Sequence, residues 1–315
     1  MAAALALAER GRGRTAPNPN VGCLIVKGGR VVGRGWTQPG GRPHAEAMAL
    51  AEAGAAGRGA TVYVTLEPCA HAGPRGPACS DLLVAAGPAR VVAALTDPDK
   101  RTAGEGFARL RAAGIAVAEG VLAADAQRCM AGFLTRQALG RPHVTLKLAL
   151  SLDGMIARAD GESQWITSAA ARAHVHLQRS RHEAILVGRG TWDADRPRLD
   201  VRLPGLEERS PIRVILGSSS LESQEARTIR SPGAIATLEG VDHLLIEGGA
   251  QTASAVLAEG LVDRLLLYRA PILIGAGRPA LGDIGLASLA DAHGRWRLTD
   301  SRTLGIDRLE VYERA

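Results

Sequence analysis

The chain has 315 residues, 46% of them apolar and 22% charged, which at ~150 residues per domain suggests two domains of ordinary globular composition and excludes a disordered or collagen-like chain. The formal charge of +6 is carried almost wholly by arginine, with lysine only at positions 27, 100 and 147, and three tyrosines and two phenylalanines leave little to stack bases; scattered arginines suit a phosphorylated small molecule better than a nucleic acid. No apolar run approaches the ~18 residues of a membrane helix, and four cysteines in so long a chain do not make a disulfide scaffold, so a reducing cytoplasm and no membrane partner are expected.

In chain order, Met1–Ala8 is apolar and is followed by Arg10, Arg12 and Arg14, the order of a first helix and not of a signal peptide. Val21–Val26 and Arg30–Trp36 predict a hairpin joined at Gly28-Gly29, and an alanine-rich helix begins at His44. A strand Thr61–Leu66, a helix from about Ser80 to Ala86, a strand Arg90–Leu95, a helix Gly106–Ala113 closed by Gly114, a strand Ile115–Val121 and a helix Ala123–Gln137 follow. This beat predicts an α/β sandwich. Gly140-Arg141-Pro142 then ends the last helix, placing a boundary between domains 1–140 and 141–315. Beyond it come a strand His143–Leu150, a helix Ala169–Arg181, strands Ala184–Val187, Ile212–Leu216 and His243–Ile246, a helix Thr252–Glu259, and strands Arg264–Tyr268 and Leu309–Tyr312.

Chemistry concentrates first at His44-Ala45-Glu46, at a helix start after Pro43, and at Pro68-Cys69 with Cys79 ten residues on. Three borderline or soft ligands leave one tetrahedral position for water, the arrangement of a catalytic zinc. Glu46, two residues from His44, can approach that water without binding the metal and shuttle its proton to a leaving amine. The order H-x-E then P-C is that of zinc deaminases, although the cysteines are farther apart than in P-C-x-x-C. Cys23, in an apolar strand, and Cys129, in a helix, read as structural. In the second half, Gly188-x-Gly190-Thr191 and Gly248-Gly249 stand at strand-to-helix turns, where backbone N–H groups can approach a phosphate, but the third glycine of a dinucleotide fingerprint is missing.

With Pro17-Asn18-Pro19-Asn20-Val21-Gly22, Pro43-His44-Ala45-Glu46, Thr65-Leu66-Glu67-Pro68-Cys69-Ala70-His71, Thr145-Leu146-Lys147 through Ser151-Leu152-Asp153-Gly154, Glu162–Thr167 and Glu247-Gly248-Gly249, the chain resembles over nearly its whole length the bifunctional riboflavin-biosynthesis deaminase-reductases. The resemblance implies a cytidine-deaminase-like α/β/α sandwich followed by a dihydrofolate-reductase-like α/β domain. It implies zinc on His44, Cys69 and Cys79, Glu46 as proton shuttle, and a pyrimidine pocket lined by Asn18, Asn20 and His71. For the second half it implies NADPH against Ala149, Trp165, Thr191, Asp195, Ser218 and the stretch Gly249, Ala250, Gln251, Thr252, Ala253, Ser254 and Ala255. The ribosyl phosphate would meet Ser163, Arg179, Leu199, Arg202 and Glu247, with Arg179 and Arg202 as phosphate forks.

Two departures stand out. The second cysteine falls ten residues after the first where the family usually has nine, and the segment from Arg202 to Val241 is short and carries Ser218-Ser219-Ser220. The implied activity is hydrolytic deamination of a diaminopyrimidinone ribosyl phosphate, followed by NADPH-dependent reduction of ribosyl to ribityl. A nucleoside or tRNA-base deaminase with an unrelated second domain, and a zinc-stabilised binding protein with His71 as fourth ligand, are the alternatives. The sequence leaves open whether the chain forms a homo-oligomer.

Overall fold

The computed structural model describes residues 1–73, 76–218 and 225–315, and the chain divides into two compact units, Met1–Gly140 and Arg141–Ala315. In the first unit, α1 (Ala2–Ala8), β1 (Gly22–Lys27), β2 (Arg30–Trp36), α2 (Ala45–Ala53), β3 (Thr61–Val64), α3 (Cys79–Ala86), β4 (Arg90–Ala93), α4 (Glu105–Ala112), β5 (Ala116–Ala118), α5 (Ala123–Cys129) and α6 (Ala131–Leu139) surround a sheet of order β2-β1-β3-β4-β5. The β1–β2 and β1–β3 pairs are antiparallel, whereas β3–β4 and β4–β5 are parallel.

Glycines set how closely the helices lie on this sheet. A Cβ on Gly22 would stand 1.9 Å from the Ala4 carbonyl oxygen, and one on Gly35 would stand 2.0 Å from that of Ala45. No side chain fits either position, so α1 and α2 rest directly on strand backbone. The start of α2, with His44 as its N-cap, is fixed in this way. The expected helix Ala123–Gln137 is two helices: Met130 leaves helical geometry at φ −102°, ψ 20°, and both Met130 and Phe133 pack into the core with Leu110 and Ala126.

The second unit contains β6 (His143–Leu150), β7 (Met155–Arg158), α7 (Ala169–Arg179), β8 (Ala184–Gly188), α8 (Arg189–Asp195), β9 (Ile212–Leu216), β10 (Arg227–Ile229), β11 (His243–Ile246), α9 (Ala250–Ala258), β12 (Arg264–Arg269), β13 (Gly277–Pro279), β14 (Trp296–Leu304) and β15 (Asp307–Arg314). Its eight-stranded sheet runs β10-β9-β8-β11-β6-β12-β15-β14, while β7 and β13 pair separately. The strands from β10 to β12 are parallel, and β15 and β14 close the sheet antiparallel. Every residue of β8 and β11 is buried, as expected of parallel strands covered on both faces, and their unbroken apolar runs made them legible. In contrast, β14 has one strand neighbour and a largely exposed, charged sequence, so it lacks the period-2 signal and was not expected.

No helix is long and apolar enough to cross a membrane among the described residues.

Candidate active sites

The first site forms where α2 and α3 begin. His44 precedes α2, Cys79 opens α3, and Cys69 lies in the loop after β3. The His44 Nδ1 atom is 3.3 Å from the Cys79 Sγ and 3.7 Å from the Cys69 Sγ, and the ligand atoms of the three residues all lie within 4.8 Å of one another. One imidazole nitrogen and two thiolates at this spacing fit a tetrahedral zinc. The cluster contains these three residues and no fourth among the described residues. His71, the candidate fourth ligand of a structural site, instead has its Nδ1 3.2 Å from Thr102 Oγ1.

The Cys69 sulfur accepts a hydrogen bond from the Cys79 backbone N–H at 3.3 Å. Hydrogen bonding from the Cys79 side chain outweighs burial and, helped by His44, lowers the Cys69 thiol to about 4, while Cys79 is pushed up because it shares that proton and is buried. Glu46 is 3% exposed, and burial pushes its carboxyl up to about 7 against the counter-pull of His44. A carboxyl poised near neutrality both takes and returns a proton efficiently.

Asn18 stands beside the cluster, its amide nitrogen donating to the Gly41 carbonyl at 3.1 Å and lying 3.0 Å from His44 Nε2. Asn20, expected in the pyrimidine pocket, is 2% exposed, and its amide nitrogen donates to the carbonyls of Ala8 and Cys129. Its amide ties the Asn18–Asn20 loop to α1 and α5, which corrects the expectation that it faces substrate. A buried group the sequence did not single out is Glu67, whose carboxylate accepts from the N–H groups of Asp97, Gly104 and Phe107. It caps the start of α4 and holds the loop after β4 beside Pro68–His71. Pro74 and Arg75, in the stretch between the cysteines that is one residue longer than usual, lie outside the described residues.

The second site is a cleft of ≈ 1310 Å³ at the carboxyl ends of β6, β8, β9 and β11, where parallel sheets commonly receive ligands. Ala149, Ser163, Trp165, Thr191 and Asp195 line it, as do Arg179, Arg202 and Glu247. The Gly249–Ala255 stretch divides by helical period: Gly249, Ala250, Gln251, Thr252 and Ala255 face the cleft, whereas Ala253 is fully buried in the core and the Ser254 hydroxyl accepts from the Gly282 N–H. The side chains of Ala253 and Ser254 thus turn away from the cleft. Leu199 is likewise a core residue, 5% exposed among Ile185, Val187 and Trp192, so its side chain is not available to substrate. Ser218 is an exposed residue beyond β9 and does not line the cleft; Ser219 and Ser220 lie outside the described residues.

The glycines also divide. A Cβ on Gly188 would stand 2.1 Å from Thr252 Oγ1, and one on Gly248 would stand 2.6 Å from Thr252 Cβ, so at these two cleft-lining positions the absent side chain makes room for Thr252. Gly190 and Gly249 line the cleft as well, and a Cβ on Gly190 would meet nothing within 4 Å. Open backbone there, the start of α9 and the cleft's cations fit a dinucleotide phosphate.

Arg179 is not a free phosphate fork. Its Nε donates to Glu247 Oε1 at 2.7 Å, its Nη2 to Oε2 at 3.0 Å, and its Nη1 to the Asp200 carbonyl at 3.0 Å. Lys147 Nζ lies 3.6 Å from the same carboxylate. Burial alone would push the Glu247 carboxyl up, but Lys147 and Arg179 outweigh it and hold it at about 2. Lys147 was the missed residue here, though a lone lysine within the apolar run His143–Leu150 was a usable signal. Arg202, with a side chain 52% exposed and its Nε 3.4 Å from Asp200, retains the reach of a substrate contact. Trp165 is 64% exposed under the Arg172 guanidinium, 4.6 Å from the ring centroid, so it is a cleft-edge platform and not a core aromatic.

Known proteins match both units. The family model described as the cytidine and deoxycytidylate deaminase zinc-binding region covers residues 1–95, and that of the RibD C-terminal domain covers residues 142–309. The riboflavin biosynthesis protein RibD of Escherichia coli strain K12 is 41% identical, over 98% of this chain and 96% of that protein; its counterpart in Mycobacterium tuberculosis H37Rv is 42% identical, over 95% and 91%. Among solved structures, Acinetobacter baumannii RibD superposes with a TM-score of 0.88 at 37% identity, covering 100% of this chain and 97% of that one. The Thermotoga maritima diaminohydroxyphosphoribosylaminopyrimidine deaminase/5-amino-6-(5-phosphoribosylamino)uracil reductase gives 0.87 at 33%, with the same coverage. A zinc-ligand cluster in one unit, a dinucleotide-sized cleft in the other and relatives matched end to end on both place the chain in the RibD family of bifunctional riboflavin-biosynthesis deaminase-reductases.

Proposed function

We propose that the units divide two consecutive reactions: residues 1–140 deaminate a diaminopyrimidinone ribosyl 5′-phosphate, and residues 141–315 reduce its ribosyl group to ribityl. Zinc and NADPH are the cofactors of this family. The observation that carries the reading is the pairing on one chain of a three-ligand cluster beside a buried carboxyl with a cleft built around a buried ion triad.

In the first unit, His44, Cys69 and Cys79 would hold the metal, and zinc there would supply the Lewis acidity that makes water nucleophilic near neutral pH. Glu46 takes the proton of the attacking water and hands it to the departing amine, which leaves as ammonia. Asn18 and His71 border the pyrimidine, and Asn20 positions the loop that bears Asn18.

In the second unit, bound NADPH would supply hydride to the sugar's C1′, the C1′–O4′ bond opening and the released ring oxygen taking up a proton from water. Gly249, Ala250, Gln251, Thr252 and Ala255, with Ala149, Trp165, Thr191 and Asp195, bind the dinucleotide. Ser163, Glu247 and Lys147 receive the sugar, and Arg202 its phosphate. Arg179 acts through Glu247, keeping that carboxylate ionised and aimed.

Incubating the protein with the diaminopyrimidinone ribosyl phosphate, with and without NADPH, and weighing the products tests this directly. Exchange of one amine for oxygen without NADPH, and a further gain of two hydrogens with it, are expected. Deamination of cytidine or tRNA in place of this substrate would favour the base-deaminase alternative.

A further inference from the structure

The segment from Glu67 to His71 and the loop after β4 hold each other in place. Glu67 grips the loop through the N–H groups of Asp97, Gly104 and Phe107, and from within that loop Thr102 reaches back to Ala70 and His71. Thr102 is fully buried. A turn fixes its backbone, its N–H donating to the Asp99 carbonyl at 2.8 Å and its carbonyl accepting from the Glu105 N–H at 2.6 Å. The Cys69 carbonyl accepts from the N–H and the hydroxyl of Ser80, at 3.1 and 3.0 Å, so His71 extends from a segment that is anchored on both sides of Cys69.

A threonine hydroxyl has one proton to give and two lone pairs to accept with. The Ala70 N–H donates to the Thr102 Oγ1 at 3.4 Å, and the His71 Nδ1 lies 3.2 Å from the same oxygen. These are the partners of the hydroxyl among the described residues. If Nδ1 carried the imidazole proton, both partners would be donors, and the hydroxyl proton would be buried without an acceptor, which costs more than the contact gains. Every group is satisfied when the hydroxyl accepts from Ala70 and donates to Nδ1. The neutral ring then carries its proton on Nε2, since the bond made by one ring nitrogen sets the state of the other. Asp99 is within electrostatic reach of His71, but its two oxygens accept from the Arg101 Nε at 3.0 and 3.1 Å. His71 is half-buried, and its Nε2 has no hydrogen-bond partner among the described residues.

We propose that Thr102 is a positioning residue of the deamination site: its hydroxyl fixes the His71 ring as the Nε2–H tautomer, presenting a neutral donor to an acceptor oxygen of the substrate. The inference rests on reading this site as the pyrimidine pocket.

Imidazole nitrogen NMR of the full, zinc-loaded chain at mildly alkaline pH reads the tautomer, His71 being assigned by its absence in His71→Ala. Wild type should show the proton on Nε2 and Nδ1 as an acceptor. Thr102→Val, close in shape but without the hydroxyl, should mix the tautomers and raise KM for deamination of the diaminopyrimidinone ribosyl phosphate about 3- to 10-fold, the range of one neutral hydrogen bond, with kcat and zinc content unchanged. Thr102→Ser should restore both the tautomer and KM. Because Thr102 acts through His71, adding Thr102→Val to His71→Ala should raise KM no further. A proton on Nδ1 in wild type, an unchanged KM in Thr102→Val, additive losses in the double variant, or loss of zinc from Thr102→Val would each overturn the role of Thr102. A wild-type KM in His71→Ala would instead sink the reading of the pocket, and the inference with it.

Discussion

Replacing Arg179 by methionine keeps much of its stem volume and removes the fork that holds Glu247. That carboxylate would stay buried, its side chain 9% exposed, with Lys147 at 3.6 Å as its remaining cation. Removing one partner of a buried pair costs ~3–5 kcal/mol, and Lys147 offsets part, so a loss of ~2–4 kcal/mol at neutral pH is expected. The pH dependence identifies the cause. Glu247 has a folded pKa of about 2 against an ordinary 4.5, so its stabilisation is complete above the ordinary value and is lost as pH falls towards the folded one. A depression of this size corresponds to ~3 kcal/mol. Without Arg179 the folded pKa rises, and the gap in stability between wild type and variant should be full at about pH 7 and fall to roughly half or less at about pH 3. Urea unfolding of the two chains, followed by tryptophan fluorescence in a Trp36→Phe background so that the signal comes from the second unit, measures it. A gap of equal size at both pH values, or none at neutral pH, would refute the argument that Arg179 stabilises by holding this carboxylate ionised.

Other outcomes follow from the same geometry. Cys69→Ser and Cys79→Ser should each lower zinc content by metal analysis, and wild type should release zinc as acid protonates the thiolates; full occupancy in either variant removes that residue from the ligand set. Glu46→Gln should keep its zinc and lose ~10²–10⁴-fold in deamination, since the amide cannot relay a proton; near-normal turnover contradicts the role. Arg202→Ala should deaminate normally and weaken reduction by about 1.5–3 kcal/mol in kcat/KM, whereas unchanged reduction removes it from the substrate contact.

The sequence made the first site more legible than the second. His44, Glu46, Cys69 and Cys79 combine residue types that have few other reasons to occur in that order, and backbone elements rigidly bound to the sheet bring them together. In the second unit the same reasoning placed the apolar strands, β8 and β11 above all because they bury both faces, but it did not give β7, β10, β13 or β14 and could not tell which side of α9 lines the cleft. Ala253 and Ser254 turn inward at the helical period, and Arg179 is engaged by a residue 68 positions away, a pairing that only the folded chain reveals. α8 was missed because two glycines, at positions 188 and 190, count against a helix there; Gly188 instead precedes the helix as its N-cap and accommodates Thr252.

The central claim is that each unit carries its own core and its own reaction, so that damage to one site leaves the other working. The direct measurement is NADPH oxidation by Glu46→Gln supplied with the already deaminated intermediate. The account predicts oxidation at the wild-type rate, although the same variant fails to deaminate. Loss of that oxidation in a folded variant would contradict it, showing either that the two reactions depend on one site or that reduction is not the work of residues 141–315.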